Sequence, residues 1–83
     1  MAVILYPLSN EKSLRLMESE NTLIFVVQRK ATKKEVRAEL ESMFSAKVSA
    51  VRTMITRDGN KRAYVAFASE TPAIDVATSL GLL

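Results

Sequence analysis

The residues in this chain with an evident chemical use are its cations. Positions 29 to 62 hold ten of the twelve lysines and arginines against four acids, Glu35, Glu39, Glu41 and Asp58, a local charge of +6. The other positions carry two cations and five acids, −3, so the net +3 conceals a separation along the chain. Ammonium and guanidinium groups gathered in this way suit a polyanion, because phosphate contacts release condensed counterions and so drive binding. A solvated basic face that serves only solubility accounts for the same composition. The candidate phosphate contacts of this stretch, nine of its ten cations, form three clusters: Arg29, Lys30, Lys33, Lys34 and Arg37; then Arg52 and Arg57; then Lys61 and Arg62.

What the chain lacks narrows the chemistry further. With no histidine and no cysteine there is no usual zinc site, no Ser-His or Cys-His nucleophile pair and no base that titrates near neutrality. The only glycines, Gly59 and Gly81, cannot build a phosphate-cradling loop. Of the carboxylates, Glu18 and Glu20 fall at a helix end and Glu35, Glu39 and Glu41 on one surface helix, where no desolvating pocket tunes a pKa. These absences point away from an enzyme, a metal, a cofactor or a small-molecule substrate. No apolar run approaches the ~20 residues that span a bilayer, so no membrane insertion is expected.

Sheet proteins that read single-stranded RNA use two or three exposed rings for base stacking. Here the aromatics are Tyr6, Phe25, Phe44, Tyr64 and Phe67. The three phenylalanines have core periodicity, which leaves Tyr64 as the exposed ring, either a half-buried sheet residue or a nucleotide contact. Recognition of backbone or shape therefore fits better than stacked readout of a sequence.

The elements that must position these groups are legible from periodicity. Ile4 and Leu5 begin a strand that Pro7 closes, and Ser9 or Asn10 caps a helix through Glu18 with Leu14, Leu16 and Met17 as its apolar positions. TLIFVVQ, Thr22 to Gln28, is continuously apolar, as expected of a central strand buried on both faces. Thr32 and Glu35 form a capping box ahead of Val36, Leu40, Met43 and Phe44. Val48 to Arg57 alternates Val51, Thr53 and Ile55 against Arg52, Met54 and Thr56, which suits an edge strand. Asp58-Gly59 signals a tight hairpin turn into Lys61 to Ala68, whose Ala63, Val65 and Phe67 form a core row. Thr71 caps and Pro72 opens a last helix through Leu80, with Ile74, Val76, Ala77 and Leu80 apolar and Gly81 as its stop. No repeat or linker appears, so residues 1–83 form one domain, an α+β sandwich of order β-α-β-α-β-β-α on a mostly antiparallel four-stranded sheet. The strands Thr22 to Gln28 and Lys61 to Ala68 are expected inside it.

Four motifs in this order carry a resemblance: P-L-S-N-E-K at Pro7 to Lys12, A-T-K-K at Ala31 to Lys34, V-R-T-M-I-T at Val51 to Thr56, and K-R-A-Y-V at Lys61 to Val65. Together the succession resembles the large-subunit ribosomal protein L-twenty-three family over nearly the whole chain. The closing D-V-A-T-S-L-G-L, Asp75 to Leu82, is similar to the archaeal branch. The resemblance implies a non-catalytic component of the large ribosomal subunit, hence cytoplasmic, that binds large-subunit rRNA at the rim of the polypeptide exit tunnel. It also implies contact with neighbouring ribosomal proteins and with exit-site factors such as the signal recognition particle. Within these motifs it adds Lys12, Thr32 and Thr53 to the rRNA contacts, and it matches Glu11 to an acidic factor-docking position after the first strand. Arg52 stands where the family commonly has asparagine, which suits a phosphate more than a specific amide contact. The short connection from Arg57 to Lys61 replaces the long loop of bacterial members, so the hairpin is expected to stop at the rim. The contrasting reading, a free-standing protein-interaction domain with a solubilising basic face, predicts no steep salt dependence of RNA binding.

Overall fold

The computed structural model describes residues 3–81. Met1 and Ala2 of the opening run and Leu82 of the closing motif lie outside the described residues. The elements are β1 (Ile4–Pro7), α1 (Glu11–Glu20), β2 (Thr22–Val27), α2 (Lys33–Phe44), β3 (Val48–Ile55), β4 (Lys61–Phe67) and α3 (Ala73–Ser79). The four strands form one sheet in the order β1-β2-β4-β3, with all three pairings antiparallel. The expected central pair is therefore inside and the expected edge strand, β3, is at an edge.

Register divides the sheet into two faces. Leu23 lies opposite Val65 and Phe25 opposite Ala63; with Val27 and Phe67 these pack against Val36 and Leu40 of α2 and Val76 and Ala77 of α3 in the main core. On the other face Ile24 lies opposite Tyr64, which lies opposite Arg52, and α1 runs along β2 with its Lys12 at the Tyr64 ring. Helices on both faces explain why every residue of β2 is buried. A strand placed this way must be apolar throughout.

The helix ends follow local chemistry. Of the two expected caps for α1 it is Asn10 that serves: its Oδ1 accepts from the Ser13 N–H, and the Ser13 hydroxyl oxygen accepts from the Asn10 N–H. That capping box turns Ser13 inward, so Leu14 faces solvent where the sequence suggested core, and only Met17 of the expected apolar row is buried. α1 also continues to Glu20, because Asn21 adopts the left-handed conformation at φ 53° that ends it. In α2 the Thr32–Glu35 box forms as expected, whereas Met43 lies at the margin of the apolar face and is 60% exposed.

α3 shows the largest departure. Pro72 occupies the cap position and makes no side-chain cap bond; the Ala73 N–H instead donates to Asn21 Oδ1 at 2.6 Å. Pinned from outside, the helix buries Ala73, Val76 and Ala77 and turns Ile74 out, one position from the expected row. Gly81 at φ 78° does stop it. The β3–β4 connection is also looser than a two-residue turn. Thr56 N–H donates to Asn60 O and Gly59 N–H to Thr56 O, and only Gly59 has positive φ, 88°. That pattern is a three-residue loop with glycine in the left-handed position, because a two-residue type I′ turn would need two such residues.

Candidate nucleic-acid interface

Among the described residues three ion pairs form, Arg15–Glu11 at 3.0 Å, Arg37–Glu41 at 3.9 Å and Lys47–Glu70 at 3.3 Å. Of the twelve cations this leaves nine with no carboxylate within 4.0 Å: Lys12, Arg29, Lys30, Lys33, Lys34, Arg52, Arg57, Lys61 and Arg62. All nine belong to the expected rRNA contacts. Exposed pairs contribute about 0.2–1 kcal/mol each, so folding gains little from how these charges are placed.

Topology gathers them on both sides of the β3 edge and at one end of the sheet. On the α2 side Lys33, Lys34 and Arg37 border Val51 in a shallow depression. The capping box engages the N–H groups of Thr32 and Glu35, while those of Lys33 and Lys34, one helical position in, have no partner among the described residues. On the α1 side Lys12, Arg52, Thr53 and Tyr64 line a second depression. At the sheet end the ideal Cβ position of Gly59 lies 3.8 Å from Arg29 Nη1, which brings the start of the first basic cluster to the hairpin loop that carries Arg57. Lys30 is exposed beside it. Glu18 and Glu20 on the last turn of α1, and Glu70 and Asp75 around the start of α3, belong to the opposite end, where Asn21 joins the two helices. The charge separation along the sequence thus becomes in large part a separation in space, with Lys47, paired with Glu70, and Glu11, beside Lys12 on the first turn of α1, as exceptions.

Four expected contacts have partners within the protein. Lys61 Nζ donates to the Ala31 carbonyl at 2.6 Å and ties β4 to the start of α2. Arg37 Nη2 donates to Val48 O at 2.5 Å, fastening α2 to β3. The Thr32 hydroxyl is the α2 cap, and half-buried Thr53 pairs with Ala63 in the sheet. Arg62 is different: its Nε is buried without a hydrogen-bond partner, a costly state for a donor.

One ring departs from expectation. Tyr64 is half-buried, with Lys12 Nζ and Arg52 Cζ each 5.8 Å from its centroid. Tyr6, expected inside the first strand, is 49% exposed and is the more accessible ring. The neighbours that complete the α1-side depression, Leu16 and Met54, were missed because periodicity assigned the first to the core and gave the second no role. Glu11 stands on the first turn of α1, fully accessible apart from its contact with Arg15. At the loop, Asp58 accepts from the Thr56 hydroxyl; that bond, a second from Asn60 and the nearby Arg62 charge hold its carboxyl below the ordinary value of 3.8.

The ribosomal protein L23 family matches residues 2–76. The chain is 46% identical over 80 residues to the large ribosomal subunit protein uL23 of Methanococcus maripaludis strain C7, spanning 96% of this chain and 93% of that one. It is 47% identical over 81 residues to the uL23 of Methanothermobacter thermautotrophicus, with 98% and 94% covered. By this likeness the chain belongs to the ribosomal protein L23 (uL23) family, large-subunit ribosomal proteins that are not enzymes.

Proposed function

We propose that the chain binds large-subunit rRNA through the two slopes of the β3 edge and the hairpin end, at the rim of the polypeptide exit tunnel. A uL23 protein sits in the subunit with rRNA and other ribosomal proteins, and the nine cations without a carboxylate partner are the observation that supports this assignment of surfaces. Like charges held near one another with no acid between them repel, and a polyanion reverses the sign of that energy. Lys12, Lys33, Lys34, Arg52, Arg57, Arg29 and Lys30 contact phosphate directly. Lys61, Arg37 and Thr32 act first as struts that hold those groups in place.

The three-residue loop keeps the hairpin at the rim, since it provides no chain to extend into a tunnel. Glu11, exposed at the head of α1, is the docking point for factors that act on nascent chains, the signal recognition particle among them. Leu5 and Met43 flank an apolar groove with Phe44 and Leu80, a surface suited to neighbouring ribosomal proteins.

Replacing Lys33, Lys34 and Arg57 with alanine tests the rRNA surface, because none of these side chains has a partner among the described residues. Each lost phosphate contact flattens the slope of log affinity against log salt by roughly 0.7–0.9. The triple variant should therefore bind large-subunit rRNA with a slope shallower by about 2 to 2.7 and an unchanged circular dichroism spectrum. An unaltered slope removes these residues from the interface.

A further inference from the structure

The depression on the α1 side has a composition that phosphate binding alone does not explain. It encloses about 400 Å³, within the ~300–1,000 Å³ range of small-ligand clefts. Lys12 and Leu16, one turn apart on α1, form one wall. Arg52 and Met54, alternate residues of β3, form the other, with Thr53 between them and Tyr64 at the base. The two cations flank the Tyr64 ring at 5.8 Å each and neither has a carboxylate of the described residues within 4.0 Å.

Two cations gathered on one ring without an acid call for an anionic occupant. The apolar surfaces of Leu16 and Met54, the latter 49% exposed, call for an occupant that is also flat and apolar in part. Inorganic phosphate would leave those walls unused, and duplex RNA could not bring a base edge down to the floor. The geometry points to a cleft for a single unpaired rRNA nucleotide, its base against Tyr64 between Leu16 and Met54 and its phosphate on Lys12 and Arg52. This inference rests on the rRNA-binding role proposed above. One ring holds one base, so the cleft anchors a nucleotide without reading a sequence. That agrees with the scarcity of aromatics on this face.

The test compares the full chain binding to a short single-stranded oligouridylate and to the same ribose-phosphate backbone without bases. Stacking on one aromatic ring should favour the base-bearing strand roughly five- to hundredfold. Tyr64→Leu should abolish that preference, and Tyr64→Phe should keep it. Met54→Glu, at an exposed position that the fold does not need, should also abolish it and guards against a misfolded Tyr64→Leu. Lys12→Ala and Arg52→Ala should weaken both strands equally. A wild-type protein that shows no base preference, or a Tyr64→Leu or Met54→Glu variant that retains it, overturns the cleft. If that happens while large-subunit rRNA affinity still falls steeply with salt, the phosphate surface stands and only the cleft is lost. A salt-independent affinity for large-subunit rRNA overturns both.

Discussion

Asn21 joins three elements, and its replacement tests whether the tertiary account is right. Its Nδ2 donates to Phe67 O, Ala68 O and Thr71 O at 3.1, 3.2 and 3.1 Å, and its Oδ1 accepts from Ala73 N at 2.6 Å. An amide has two N–H hydrogens, so the three carbonyls share two bonds, and with the acceptor bond three are at stake. At ~0.5–1.5 kcal/mol net apiece they contribute about 1.5–4.5 kcal/mol. Asn21 also holds φ at 53°, where alanine adds about 1–2 kcal/mol of strain that glycine avoids. Asn21→Gly should therefore lose about 1.5–4.5 kcal/mol and Asn21→Ala a further 1 kcal/mol or so. At ~0.05–0.15 kcal/mol per residue an 83-residue chain has roughly 4–12 kcal/mol in total, so Asn21→Ala falls near the limit of folding. Urea titration followed by circular dichroism gives both values. Losses below ~1 kcal/mol for both variants, or equal losses for glycine and alanine, refute the hydrogen-bond and backbone terms respectively.

Three further predictions follow from local contacts. Glu39 accepts from Ile4 N–H at 2.8 Å and from Val3 N–H at 3.3 Å, and charged hydrogen bonds contribute ~1.5–3 kcal/mol; Glu39→Ala should speed amide exchange in β1 while β4 stays protected, and unchanged exchange at Ile4 would discount the contact. Because the folded pKa of Asp58 is lowered, its support of the loop is complete above the ordinary value and lost only as pH falls through the lower folded value. The Gly59 amide resonance should then be constant above about pH 4, move below it and stop titrating in Asp58→Asn; a midpoint above the ordinary carboxylate value contradicts the assigned bonds. Glu11→Lys should leave rRNA affinity nearly unchanged, since its only partner among the described residues is Arg15 on its own helix, but alter recruitment of exit-site factors to ribosomes; normal recruitment takes Glu11 off the docking surface.

The sequence alone determined the element order, the burial of β2, the core row Ala63, Val65 and Phe67, the α2 capping box and the concentration of cations between positions 29 and 62. Each is written in neighbouring residues, through alternation, capping chemistry or charge, and needs no knowledge of distant parts of the chain. The unpaired state of most of those cations was not legible, because it depends on where the acids fold. Only the tertiary structure decided that Lys61 and Arg37 reach backbone carbonyls of other elements, that Asn21 rather than Thr71 sets the phase of α3, and that Lys12 meets Arg52 and Tyr64. These last three lie in different parts of the sequence and on different elements. Their meeting depends on β4 pairing with both β2 and β3 while α1 crosses the same face, and no local pattern encodes that arrangement.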